Sequence, residues 1–251
     1  MTLSKRFRNM IDEEEARRWL ESQERRKREE QERKDAVKKE YLRAVAAGGN
    51  GADESSVQTA RALREAVYGK EYDSVLTILD KAVLPDGHSF GIRICEMEGD
   101  SLGDWSRPFI QGPDGRRNES VFGFLCFEQS CAGAWQAYLL HEMWHYLPLW
   151  WHGNYDKRHY LYSPEDLPVF DRPIPYFGKK VVMISPDFSR FDLSPETRTL
   201  EGKYYVSSCF WTDFGGLIRE YVVFTLDGGH LDGFYVFDQE TLVEYNCGIL
   251  F

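Results

Sequence analysis

The sequence predicts an α+β fold: a mostly antiparallel sheet ending in a C-terminal meander, with packed helices and a long charged N-terminal helix. Three observations carry that reading. Opposite charges recur four residues apart between Ile11 and Ala47, helix-periodic apolar segments follow as far as Pro85-Asp86-Gly87, and after Gly202 aromatic and β-branched runs alternate with Asp- and Gly-rich turns. The expected organisation is a charged helical arm over residues 1–47 and a single α+β domain over residues 52–251.

The first helix is argued from its pairs: Glu21/Arg25, Glu24/Arg28, Glu29/Arg33, Glu30/Lys34 and Asp35/Lys39. Each such pair adds only a few tenths of a kcal/mol. No apolar residue lies between Leu20 and Ala36, so the middle of the helix has no stripe with which to pack and is expected to be solvated. Apolar residues return at the ends, as Trp19 and Leu20 and as Val37, Tyr41, Leu42 and Val45. A tether or a dimer contact is the functional alternative to a merely exposed charged helix, and the exposed helix is the simpler expectation.

Gly48-Gly49-Asn50-Gly51 breaks this helix, and Ser55-x-x-Gln58 offers a capping box for a second one reaching about Tyr68, with Val57, Ala60, Leu63, Ala66 and Val67 apolar. A third helix is expected from Asp73 through Val83. Strands are expected at Phe90–Met97, Val121–Glu128 and Lys179–Ser185, with an apolar helix at Gly133–Leu147 between the last two. The meander is expected as Lys203–Trp211, Leu217–Leu226, His230–Phe237 and Leu242–Phe251, turned at 213–216, 227–229 and 238–240.

With 251 residues, 42% of them hydrophobic, the chain can bury a full core. No run approaches the roughly 18 apolar residues of a membrane span, and no apolar signal core follows Met1, so a cytoplasmic location and no membrane partner are expected. Five scattered cysteines without a Cys-x-x-Cys pair fit reduced thiols. Residues 1–47 hold 14 basic and 11 acidic residues, so the rest carries −13 against a net charge of −10 for the whole chain. An acidic body disfavours nucleic acid and suits a basic protein or a metal. Phosphate loops, dinucleotide glycine fingerprints, serine nucleophile elbows and solenoid repeats are missing from the sequence.

One motif names a chemistry. His141-Glu142-Met143-Trp144-His145 puts two imidazoles four residues apart on one helical face, with Glu142 in reach of a metal-bound water as general base. The pattern resembles the zinc-binding helix of zincin metallopeptidases, which implies zinc on His141 and His145 and a third ligand downstream. The metzincin extension fails, because Pro148 and Trp151 stand where its Gly and His belong and His152 is one place out of register. A gluzincin-like third ligand falls on Glu165, but Pro168 closes the helix that should carry it, and Pro148 ends the first helix soon after His145. In this reading Tyr160 or His159 would steady the oxyanion. Cys126 and Cys131 ahead of the two His resemble a Cys2His2 zinc finger, with a shorter spacer.

The other unusual segment is Leu149-Trp150-Trp151-His152-Gly153-Asn154-Tyr155-Asp156, followed by His159, Tyr160 and Tyr162. Large aromatic bodies with polar tips suit interfaces as well as packed connections. The reading preferred from the sequence is a non-catalytic module without a cofactor. It would bind a protein partner through an acidic, aromatic-rich face that includes Trp144, Trp150, Trp151, His152, Tyr155 and Tyr160. The alternative is a zinc hydrolase with Glu142 as catalytic base and His141, His145 and Glu165 as ligands.

Overall fold

In the computed structural model the described residues are 13–48, 54–68, 71–95, 105–146, 158–163, 166, 190–212 and 215–244. Helix α1 (Glu13–Ala46) realises the charge-paired segment. It is followed by α2 (Glu54–Tyr68) and, after a 3-10 turn at Tyr72–Ser74, by the four-residue α3 (Val75–Ile78). Strands β1 (Ala82–Val83), β2 (Ser89–Cys95), β3 (Trp105–Gln111), β4 (Arg117–Asn118) and β5 (Cys126–Phe127) precede helix α4 (Cys131–Tyr146). Strands β6 (His159–Leu161), β7 (Glu196–Leu200), β8 (Lys203–Thr212), β9 (Gly216–Asp227) and β10 (His230–Val243) complete the described chain.

The main sheet runs β10-β9-β8-β6, every pair antiparallel, and β7 pairs with β8 on the edge that β6 also uses. Two small antiparallel sheets, β1-β5 and β2-β3-β4, stand beside it. The α+β class and the C-terminal antiparallel meander are therefore present. Several details differ from the sequence reading. Glu54 opens α2, so Ser55 lies inside the helix, where its carbonyl accepts the Thr59 hydroxyl at 2.9 Å instead of capping. The third helix stops at Ile78, because Ala82–Val83 is drawn into pairing with Cys126–Phe127. Val121–Glu128 holds a 3-10 turn and the two-residue β5 in place of one strand.

No turn interrupts 238–240. β10 runs on to Val243 through three register shifts, the first spanning the positive-φ Gly233 and another just before Asp238, so that bulges absorb what the polar residues suggested was a loop. Strands β3, β6 and β7 escaped the sequence reading. The expected strand Lys179–Ser185 and the residues after Glu244 lie outside the described residues.

Strand β8 is buried on both faces, which its nearly continuous apolar run Tyr204–Trp211 requires. On one face Tyr204, Val206 and Phe210, with Val222 and Phe224, meet α4 in the principal core. Helix α4 is apolar nearly all round because α2, the small sheet and the main sheet enclose it. Its start is fixed by the Gly133 N–H donating to Ser130 Oγ at 3.1 Å, and a Cβ at Gly133 would lie 2.0 Å from the Glu128 carbonyl oxygen.

The opposite face carries Tyr205, Val223 and Phe237, and α1 covers it. Ala44 is fully buried there, with Val37 and Tyr41 packed alongside. Tyr41 meets the rings of Tyr221, Phe237 and Tyr205 at 5.4, 5.8 and 6.1 Å between centroids. Glu40 accepts from Lys203 Nζ at 2.6 Å and Tyr205 Oη at 2.9 Å, and Lys38 pairs with Asp238 at 2.5 Å. The solvation expected of the charged helix thus holds for its first half only. From about Glu30 onward it crosses β10, β9, β8 and the β7–β8 turn in succession.

Removing the Tyr41 ring should leave a cavity between α1 and three sheet aromatics. Tyr41→Ala is expected to cost about 3 kcal/mol, within the range for large-to-small substitution in a core. Urea unfolding followed by fluorescence measures it, and a loss below about 0.5 kcal/mol would mean that α1 contributes little to the fold.

Candidate functional site

The last turns of α4 meet β6, β9 and β10 at a buried polar cluster. Glu142 is 3% exposed, and one of its carboxylate oxygens accepts the Tyr160 hydroxyl. The Arg158 guanidinium reaches the same oxygen at 3.3 Å and a Glu220 oxygen at 2.7 Å. Glu220 is 1% exposed, and its other oxygen accepts Gln239 Nε2 at 2.6 Å. The guanidinium lies 4.1 Å over the Phe210 ring, which shields the cluster from below. Two carboxylates from α4 and β9 thus share one arginine placed just ahead of β6.

The electrostatics follow from that sharing. Burial raises the Glu220 pKa and the Glu142 carboxylate adds to the rise, against the opposing pull of Arg158. Burial also works against the Arg158 charge, but Tyr160, Glu220 and Glu142 more than compensate, and its pKa rises. Burial and then Glu142 push the Tyr160 hydroxyl well above its ordinary value, so Tyr160 stays a proton donor.

His141 sits beside this cluster. Its ring stacks on Phe234 with centroids 3.5 Å apart and planes at 15°, leans on Phe122 at 5.7 Å, and brings Nδ1 within 3.4 Å of the second Glu142 oxygen. The carboxylate expected to hold a metal-bound water is therefore engaged on both oxygens by protein groups. The cavity beside it, lined by Leu63, Met143, Arg158 and Tyr160 among others, measures about 30 Å³, which is room for a water and not for a substrate.

Of the residues expected to bind or catalyse, the structure brings together His141, Glu142 and Tyr160. Tyr160 is 7% exposed and belongs to this interior, its ring 6.1 Å from that of Phe210, so it does not contribute to an exposed face. Trp144 and His145 are in α4, but their side chains lie outside the described residues, as do Trp150, Trp151, His152, Tyr155 and Glu165. Cys126 donates to the Gly228 carbonyl at 3.3 Å, and Cys131 opens α4. Among the described residues, no group of three His, Cys, Asp or Glu side chains is arranged to hold a metal.

Sequence reasoning missed Arg158, Glu220 and Gln239. The signal for Glu220 was present: Ile218, Glu220, Val222 and Phe224 alternate onto one strand face, which makes Glu220 a charge at an inward position in need of a partner. Arg158 carried no such signal, since it follows Asp156-Lys157 and reads as part of a polar loop. A groove of about 550 Å³ between α1 and β10 also escaped notice. Lys34, Lys38, Asp238 and Gln239 line it, together with Arg158 and Glu220 of the buried cluster.

No helix among the described residues is long and apolar enough to cross a membrane. No protein-family model, curated protein or solved structure matches the chain.

The two ways of breaking the cluster should differ sharply. Arg158→Met strands two buried carboxylates and is expected to cost about 3–5 kcal/mol, whereas Glu142→Gln keeps an acceptor for Tyr160 and leaves one balanced pair, for a loss under about 1.5 kcal/mol. Equal losses in chemical unfolding would refute the shared-arginine account. Glu220 adds a pH dependence. Its folded pKa lies above the unfolded 4.5, so its contribution to stability is complete below that pH and is lost as pH rises through the raised value. The stability of Glu220→Gln relative to the parent should therefore improve from about pH 4.5 and level off once the raised value is passed, and a difference that is flat throughout would show that Glu220 is not held in this environment.

Proposed function

We propose that the protein is a non-catalytic binding module for a protein partner, engaged through the aromatic-rich segment that holds Trp144, Trp150, Trp151, His152 and Tyr155. The observation that supports this most is the anchoring. Glu142, in the last turns of α4, is held by Arg158 and Tyr160, the residues at which the described chain resumes after that segment. Both ends of a stretch containing Trp150, Trp151, His152 and Tyr155 are thereby tied to one buried cluster. Fixing the ends of a connection reduces the ordering entropy that binding would otherwise cost, and large aromatics with polar tips supply contact area with few rotatable bonds. The −13 charge of the chain beyond residue 47 suits a basic partner surface and long-range attraction to it.

The hydrolase reading on His141, His145 and Glu142 draws less support, because a general base has to face a bound water and Glu142 faces Tyr160 and Arg158. Metal content separates the two. Protein purified without added metal is expected to carry far less than one zinc per chain, and Trp150→Ala with Trp151→Ala to lose a partner crosslinked in its native cells while keeping the parent's unfolding midpoint. One zinc per chain, with hydrolysis abolished and zinc retained in Glu142→Gln, would replace the binding reading with the enzyme.

A further inference from the structure

The groove between α1 and β10 passes from one face of the main sheet to the other. Lys34 belongs to α1, which covers the face of Tyr205 and Phe237, whereas Glu220 lies on the opposite face with Glu142 of α4, and both Lys34 and Glu220 line the groove. Strand β10 is the outermost of that sheet, and its register shift between Val236 and Asp238 falls at this point. The passage therefore runs round the sheet edge at a bulge. Its volume of about 550 Å³ is that of a small-molecule site.

Each end of the passage carries a charge that the fold leaves short of a partner. Lys34 is half-buried, and no carboxylate among the described residues pairs with it. Glu30, one turn earlier, instead accepts the Tyr235 hydroxyl, Asp35 accepts Gln31 Nε2 at 2.8 Å, and Asp238 holds Lys38. At the other end Glu220 has only a share of one guanidinium, because Arg158 also serves Glu142, and its second oxygen is met by the Gln239 amide. Gln239 is exposed, so this amide can give way to a ligand without disturbing the core. Val236 and Phe237 supply an apolar wall between the two ends.

We propose that the groove binds a small zwitterion whose charges are several bonds apart, an ω-amino acid or a dipeptide, with its carboxylate on Lys34 and its ammonium on Glu220. A molecule with one charge satisfies one end and leaves the other as it was. An α-amino acid carries both charged groups on a single carbon, too close together to serve two faces of a sheet. A methylene chain or a peptide unit covers the distance along Val236 and Phe237, and the two fixed charges discriminate the ligand from either half of itself. This binding does not depend on the protein partner of the aromatic segment.

Isothermal titration calorimetry on the full chain at low salt tests the proposal with five probes. ε-Aminocaproate and glycylglycine carry separated charges; norleucine has the atoms of ε-aminocaproate with both charges on one carbon; hexylamine and hexanoate carry one charge each. At least one of the first two should bind at least about tenfold more tightly than the other three, and the tighter of them says whether a methylene chain or a peptide unit fits. With that probe, Lys34→Ala should lower the affinity to the level of hexylamine and Glu220→Gln to that of hexanoate, while Lys39→Ala, at an exposed lysine of α1 outside the groove, should leave it unchanged. Circular dichroism checks that each variant is folded, and Glu220→Gln keeps an acceptor for Gln239. Norleucine or a singly charged probe binding as tightly as both separated zwitterions, a tenfold preference that survives Lys34→Ala or Glu220→Gln, or no binding of any probe at about 10 mM would each overturn the proposal.

Discussion

A single buried guanidinium, shared by two carboxylates from different elements, is the constraint on which the arrangement of this protein depends. Arg158 binds Glu142 of α4 and Glu220 of β9, and through them it reaches Tyr160 of β6 and Gln239 of β10. Burying charge is costly, and a cluster of this kind adds little stability compared with apolar residues of the same shape. What it adds is geometry. Apolar side chains would let α4 slide or rotate on the sheet at small cost, whereas each oxygen and N–H in the cluster has one place in which its bond is made.

The same cluster gives the zincin-like motif its physical account. A glutamate flanked by histidine on an apolar helix has two ways to be satisfied: outward to a metal-bound water, or inward to donors of the fold. Tyr160 and Arg158 supply the inward donors, and Phe234 takes the imidazole face of His141. The sequence distance between Glu142 and Arg158 hides this partnership, because nothing local marks an arginine after Asp156-Lys157 as interior.

What was legible in the residues follows the range of the interactions concerned. Helix α1, the apolar α4 and the strands β8 and β9 rest on local periodicity and on short Asp/Gly turns, and they were read almost to the residue. Strands β6 and β7 are short segments that become strands only because β8 offers them an open edge. Strand β10 was divided because Asp238-Gln239-Glu240 carries the composition of a turn. Its charges have partners elsewhere, Asp238 with Lys38 of α1 and Gln239 with Glu220. Polar residues in a strand were mistaken for a loop because the partners that justify them arrive from distant parts of the chain.

Helix α1 shows the same dependence from the other side. Its charge pairs stabilise a helix without saying where it lies, and the nearly continuous apolar run of β8 demands a cover on both faces without saying what supplies it. The two requirements meet at Val37, Tyr41 and Ala44, which join Tyr205 and Phe237 in one apolar cluster. Once that contact is made, the length of the helix determines the rest. The sheet is narrower than the helix is long, so the first half has to pass beyond β10 into solvent, carrying Trp19 and Leu20 away from a core they cannot reach. One uninterrupted element is therefore packed on the sheet over its second half and largely exposed from Glu15 to Glu29, and the boundary between the two falls where the sheet ends.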